Sequence, residues 1–460
     1  MGFIKKIIVW VLTLESRLIL KKYRPFVIAV TGSVGKTSTK DAIYCVLKDH
    51  GSLPLGTRGG FVRKSEKSMN SEIGLPLTII GVPNSWHSLS GWIRNIEAGL
   101  KLILKHGEYP DCLIVEIGAD HPGDIKKVAK WLKTDITVIT KISRTPVHVE
   151  FFKSPEQVFE EKASLVNSLK DGGVLVLFVD DEKVASIAGS IQGNGDNSSD
   201  INTKENLGVK KSIEAKNIRI LTFGVDLAAT ARAVDYKCSV ENGISFTLDL
   251  VGEKSPVNVS GIVGKAYLYS LLAAAAVAKS RDLPIQAITK VLNTYEAPRG
   301  RLNIILGMNG STLIDDTYNS SPDAVLAALE TLKGLECYAG RKIAILGDMM
   351  ELGKYSSEQH RQIGKEVISC ADILITVGLR SKTTAEEALK SGLLAGNVYS
   401  FEDSSAAAIF AVSIAKAGDI ILVKGSQSMR MERVVKALLR EPEKAARLLV
   451  RQEQEWLEKK

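Results

Sequence analysis

Thr31-Gly32-Ser33-Val34-Gly35-Lys36-Thr37-Ser38-Thr39 is the stretch on which the reading of this chain turns. The apolar run Phe26-Val27-Ile28-Ala29-Val30 precedes it, and Asp41-Ala42-Ile43-Tyr44-Cys45-Val46-Leu47, with helical spacing, follows. A buried strand, a glycine turn and a helix N-terminus together make a phosphate cradle. The glycines let backbone N–H groups approach phosphate oxygens, and the helix dipole favours negative charge there. In such a cradle Lys36 reaches the β and γ phosphates, and the hydroxyl of Thr37 or Ser38 binds Mg²⁺. The loop is a short form, Gly-x-x-Gly-Lys-Thr, because Val30 stands where the longer motif has its first glycine. The expected ligand is ATP, lined by Gly32, Ser33, Val34, Gly35, Lys36, Thr37 and Ser38.

Composition agrees with an enzyme built on ordinary cores. The chain has 460 residues, 45% hydrophobic and 24% charged, which are globular values and enough material for more than one core. Its five cysteines (Cys45, Cys112, Cys238, Cys337 and Cys370) are scattered and never spaced Cys-x-x-Cys. That excludes a zinc knuckle and a disulfide framework, and fits reduced thiols in a cytosol. The net charge of +8 would suit a nucleic acid, but no basic stripe interleaved with aromatics accompanies it. A polyanionic nucleotide substrate accounts for the excess equally well.

Residues 1–23 are expected to form an amphipathic helix. Ile4, Ile7, Ile8, Val9, Trp10, Val11, Leu12 and Leu14 form an apolar block between Lys5-Lys6 and Arg17, Lys21, Lys22 and Arg24. The block is shorter than the roughly 20 residues a membrane span needs, and no small-residue cleavage site follows it. Two readings stand: a helix packed on its own domain, or an interfacial anchor on an anionic membrane.

Beyond it, strand and helix patterns alternate, so the fold class is α/β with mostly parallel sheet. A central P-loop-type ATP-binding domain is expected over residues 24–297, and a C-terminal domain of dinucleotide-fold (Rossmann-like) type over residues 298–460. Residues 191–200 read as a polar loop. Tyr236 to Val240 and Ile244 to Leu248 alternate in period two around Glu241-Asn242-Gly243, which predicts a hairpin. Strands are expected at 312–314, 343–346, 373–377 and 420–423.

Several constellations fall in line with the loop. Leu113-Ile114-Val115-Glu116 reads as a buried strand ending in an acid, and a carboxylate at the C-terminal end of a parallel strand can hold Mg²⁺ beside the loop. His148 lies in a later loop, and Lys162 follows it on a helix pattern. Taken alone, the first reads as a surface histidine and the second as a solvated charge.

Taken together, these stretches resemble the Mur ligase family. The resemblance is carried by residues 31–39, Asn70 to Thr78, Glu116 to Ile125, the spacing of His148 to Lys162, and Gly300-Arg301-Leu302. It continues through Asp315 to Pro322, Gly347 to Gly353 and Val423-Lys424-Gly425-Ser426. It implies an ATP-dependent amide ligase of peptidoglycan precursor synthesis, joining D-alanyl-D-alanine to a UDP-muramoyl tripeptide through an acyl phosphate. By resemblance Thr37 and Glu116 hold one Mg²⁺, and His148 helps to hold a second. Lys162 falls at the position of a carbamylated lysine that ligates metal. Arg301 approaches the γ-phosphate, and Asp316 and Asn319 meet the nucleotide. Asn70, Asp348, Lys424 and Ser426 contact the other substrates. A monomer in the cytoplasm is expected, without nucleic acid, and with peripheral membrane contact through residues 1–22 as an option at the inner face.

Two departures from the family stand out. Only 24 residues precede the first strand, where the family carries a UDP-gripping domain, so UDP recognition is expected to be reduced, relocated or supplied by a partner. Ala266, Tyr267 and Ser270 replace the His-Asn and later Asn that usually help bind adenine, and Tyr267 or Tyr269 could stack on the base instead. A folylpolyglutamate-type ligase and a catalytically inactive nucleotide-binding scaffold at a membrane are the alternatives.

Overall fold

The computed structural model describes residues 2–48, 60–66, 69, 71–86, 88–143, 149–189 and 216–458. The expected Asn70, His148 and the polar loop at 191–200 lie outside the described residues.

The chain begins with helix α1 (Gly2–Tyr23), strand β1 (Phe26–Thr31) and helix α2 (Lys36–Lys48). Then come β2 (Val62–Lys64), α3 (Gly74–Ile80), α4 (Leu89–Leu104), β3 (Cys112–Glu116), α5 (Asp124–Trp131) and β4 (Thr134–Ile139). They are followed by α6 (Pro155–Ala163), β5 (Leu169–Phe178), α7 (Glu182–Gly189) and β6 (Arg219–Gly224). β7 (Ala231–Ser239), β8 (Gly243–Leu250) and β9 (Glu253–Val259) lead into α8 (Lys265–Lys279) and α9 (Ile285–Leu292). Among the described residues these strands form one nine-stranded sheet, ordered β2-β3-β1-β4-β5-β6-β7-β8-β9. It is parallel from β2 to β7, and antiparallel from β7 to β9. The expected hairpin is β7–β8, with Ser239 paired to Gly243.

β1 is central, which explains its continuous apolar sequence. Ile28 and Val30 pack to one face with α2 and α8, while Val27 and Ala29 pack to the other with Leu12 and Ile19 of α1 and with α3. In α8, Ala273 through Ala278 are fully buried, and their small side chains let the helix lie close against α2 and the sheet. Helix α1 thus packs on its own domain. No helix among the described residues is long and apolar enough to cross a membrane.

The second sheet contains β10 (Asn303–Leu306), β11 (Thr312–Asp316), β12 (Lys342–Gly347), β13 (Ile373–Val377), β14 (Val398–Phe401) and β15 (Ile420–Lys424). Its order is β10-β11-β15-β12-β13-β14, all parallel except β10. α10 (Pro322–Gly334) follows β11, with Pro322 in its first turn and Ser321 before it. The Ser321 side chain makes no cap hydrogen bond, so the proline alone pre-sets the helix start.

Candidate active site

β1 lies beside β4, and the connection leaving β1 runs to β2 on one side while that leaving β4 runs to β5 on the other, which opens a crevice at their C-terminal ends. The glycine loop fills that crevice. Gly32 has φ 144°, and a Cβ there would lie 2.0 Å from Thr140 Oγ1, so only glycine fits. Thr140, just beyond β4, donates its hydroxyl to the Val34 carbonyl at 2.8 Å, and the Ser33 amide donates to the Lys141 carbonyl at 2.8 Å. The segment after β4 therefore sets the loop's shape, and nothing in the spacing of Thr140 signals that role. The first bond of α2 runs from the Thr39 amide to the Gly35 carbonyl. The first-turn amides of Lys36, Thr37 and Ser38 consequently point out of the helix end, where the dipole favours an anion.

Two lysines meet on one carbonyl oxygen. Lys36 Nζ and Lys162 Nζ each donate to the Gly32 carbonyl at 3.0 Å. Lys162 stands in the last turn of α6, buried. Burial, and after it the Lys36 charge, push its ammonium down to about 7. Lys36 is likewise lowered by burial, opposed by Glu116. A lysine titrating near neutrality presents the uncharged amine, the form that can add CO₂.

The carboxylate of Glu116, at the end of β3, accepts from the Thr37 hydroxyl at 3.0 Å. Its backbone amide donates to Ser65 Oγ at 3.1 Å, and Lys40 donates to the Ser65 carbonyl at 2.6 Å. Glu161 caps the N-terminus of α5, accepting from the amides of Gly123, Ile125 and Lys126. It thereby holds the end of the helix that presents Lys162. Ser65 and Glu161 were not legible as site residues, because serines and helix-capping acids are common.

From the second sheet come Arg301, Asp316, Asn319 and Lys424. Arg301 Nη2 donates to Thr37 Oγ1 at 3.1 Å, and its guanidinium lies over the Tyr318 ring, 4.3 Å from the centroid. Asp316 and Lys424 are directly paired across β11 and β15, with their side chains 2.6 Å apart. Lys424 also donates to the Asn319 carbonyl at 2.9 Å. Burial raises the Asp316 carboxyl, and Lys424 draws it back down. These groups line a 190 Å³ cavity with Gly35, Lys36, Thr37 and Glu116.

Other expected residues are placed differently. Asp348 is buried, accepts from the Ser381 amide at 2.7 Å and faces Arg380 at 3.6 Å. Ser426 Oγ accepts from the Met350 amide at 2.9 Å. Both hold turns beside β12 and β15, and neither lines the cavity around Lys36. Lys424, paired with Asp316, does line that cavity. Tyr267 is buried, donates its hydroxyl to the Arg301 carbonyl and borders the smaller cavity. Tyr269 instead lines an adjoining 640 Å³ cavity with Phe178, Asp180, Phe223, Ser270 and Gly35.

Three buried polar atoms around the smaller cavity have no partner: Ser33 Oγ, Arg301 Nε and Ser320 Oγ. With the outward amides of α2, they suit a polyphosphate, and the Thr37–Glu116 pair is a hard-oxygen donor set suited to Mg²⁺.

Comparison with known proteins agrees. Residues 30–90 and 94–278 match the model of the Mur ligase middle domain, and residues 300–427 match that of the Mur ligase, glutamate ligase domain. The UDP-N-acetylmuramoyl-tripeptide–D-alanyl-D-alanine ligase of Bacillus subtilis is 29% identical over 418 residues, covering 90% of this chain and 76% of that protein. The MurF ligase of Thermotoga maritima, solved in complex with ADP, superposes with a TM-score of 0.70 at 24% identity, over 95% of this chain and 84% of that one. MurF from Acinetobacter baumannii gives 0.71 at 21% identity, over 92% and 79%. The chain belongs to the Mur ligase family.

Proposed function

We propose that this protein is an ATP-dependent, ADP-forming ligase that adds D-alanyl-D-alanine to a UDP-N-acetylmuramoyl tripeptide. The observation that carries the reading is the convergence of Lys36, Lys162, the Thr37–Glu116 pair and Arg301 on one crevice between the two sheets. On this reading residues 24–297 supply the ATP-binding domain and residues 298–460 close over it. The protein acts as a cytoplasmic monomer, with residues 1–22 at the inner face of the membrane.

The chemistry asks for positioning and charge neutralisation, since a carboxylate must attack an anionic γ-phosphate. The amides of Lys36, Thr37 and Ser38, with the Ser33 hydroxyl, would bind the phosphates. Lys36 leaves the Gly32 carbonyl to neutralise the β and γ oxygens. Arg301 adds charge from the second sheet as the phosphoryl group transfers. Asp316 and Asn319 orient the nucleoside, and the cavity beside Tyr269 takes the base. Mg²⁺ would sit on Thr37 and Glu116, with Lys162 as its carbamate and His148 at a second ion, offsetting charge on phosphate and carboxylate. Transfer of the γ-phosphoryl group to the carboxylate gives an acyl phosphate and releases ADP; the amine of D-alanyl-D-alanine then attacks the acyl carbon, phosphate leaves and the amine proton passes to solvent.

The test is phosphate release from Mg-ATP with both co-substrates, leaving each out in turn. Turnover that needs all three supports the reading. Turnover with other acceptors but not with the muramoyl tripeptide would overturn the substrate assignment.

A further inference from the structure

Helices α1 and α4 lie side by side in the same direction. A Cβ on Gly99 would meet the Glu15 carboxylate at 2.3 Å, and Lys22 donates to the carbonyls of Leu102 and Ile103 at 2.9 Å. Their inward faces are well defined. Leu12, Glu15, Ser16 and Ile19 of α1 are buried, as are Gly91, Trp92, Asn95 and Gly99 of α4. Each outward face carries an apolar stripe where a water-facing helix would be polar throughout.

On α1 the exposed stripe is Ile7, Trp10, Leu14 and Leu18, spaced three and four apart, with the Trp10 indole 66% exposed. On α4 it is Leu89, Ile93, Leu100 and Leu104, the last 79% exposed. Trp86, 65% exposed, stands just before α4, and its carbonyl is held by the Trp92 indole N–H at 3.0 Å. Contiguous exposed apolar surface of this kind marks an interaction site.

The charges choose the occupant. On the exposed sides of the two helices stand Lys5, Lys6, Arg17, Lys21, Arg94 and Lys101, against the carboxylate of Glu97. The acid of α1, Glu15, is buried at the joint with α4. A second copy of this chain would bring the same positive face and be repelled. An anionic bilayer supplies negative headgroups and an apolar interior together, and indoles and basic side chains interleaved with leucines suit that boundary.

We propose that the outward faces of α1 and α4 form one two-helix surface that seats the protein on an anionic membrane. Both helices lie flat, with Trp10, Leu14, Ile93 and Leu100 below the headgroups and Arg17, Lys21 and Lys101 among them. The crevice beyond β1 remains in the aqueous phase. This surface rests on, and extends to α4, the placing of residues 1–22 at the membrane proposed above, and does not depend on the ligase chemistry.

The experiment is co-sedimentation of the full chain with vesicles of phosphatidylglycerol and phosphatidylcholine, and with phosphatidylcholine alone. Strong binding to the first, weak binding to the second and release by salt are expected, each basic residue at the surface contributing about fivefold in partitioning. Leu14→Ser on α1 and Ile93→Ser with Leu100→Ser on α4 should each weaken binding about tenfold or more. These side chains are exposed, so melting temperature and turnover should stay as in the parent. Equal binding to both vesicle types, or loss confined to the α1 variant, would overturn the two-helix surface. So would a dimer in solution that the same substitutions dissolve while vesicle binding stays absent.

Discussion

At Gly32 the loop has no room for a methyl group. Gly32→Ala would drive a Cβ to 2.0 Å from Thr140 Oγ1 and place alanine at φ 144°. Overpacking and backbone strain together should cost about 2–4 kcal/mol, read by chemical denaturation, with loss of ATP binding. Adding Thr140→Ala should recover part of the stability, since it removes the hydroxyl but leaves the strain; no recovery would show that the contact is not the cause. Lys162 makes a different demand. A protonated ammonium there would repel a metal ion, whereas its carbamate would attract one. Lys162→Ala should lower turnover about a hundredfold or more, and formate or acetate should restore part of it by filling the cavity with a carboxylate. Failure of every short carboxylate to rescue would count against the carbamate.

Among the elements, the β11–β15 pair is the most exposed to a single change. Asp316 and Lys424 are buried together, with Asp315 beside them pushed up to about 6 by burial. Lys424→Met leaves the Asp316 carboxylate buried without its cation, at a cost of about 3–5 kcal/mol near pH 8. The sign of the pH dependence follows from burial. Without Lys424 the folded-state pKa of Asp316 lies further above its unfolded value of about 3.9, so the folded chain holds a proton that the unfolded chain releases. The deficit of the variant should therefore shrink as pH falls towards about 4, and grow as it rises. A deficit independent of pH in urea unfolding would mean that packing, not charge, was lost.

The same elements show why some of the fold was legible and some was not. β1, β3, β12, β13 and β15 are buried on both faces and read as apolar runs bounded by turns. β10 and β14 are four-residue edge strands, half-exposed, and too short to stand out as buried runs. The glycine loop and Glu116 were legible because chemistry fixes their residue types and places them at strand ends. Thr140, Ser65 and Glu161 were not, since each acts through a contact between segments distant in sequence. The Lys424–Asp316 pair was hidden for the same reason: parallel register brings the two together.

On the scale of the whole molecule, two sheets must act as one site, and Arg301 is a side chain that joins them at the phosphate loop. It sits where the chain enters the second sheet, donates to Thr37 on the first, and lies over Tyr318 on the second. Its carbonyl is held by Tyr267 of α8, so the backbone is anchored while the guanidinium bridges. A planar fork can stack on an aromatic ring and donate in its plane at the same time, which an ammonium cannot. Arg301→Ala should cut turnover about a thousandfold, the scale of an arginine acting on a transferring phosphoryl group, with nucleotide binding much less affected. Arg301→Lys should recover little of it. If the residue also couples closure to the nucleotide, small-angle scattering should show the parent contracting with Mg-ATP and the alanine variant failing to contract. A variant that contracts normally but does not turn over would confine Arg301 to the phosphoryl group. One that binds, contracts and turns over like the parent would remove it from the mechanism.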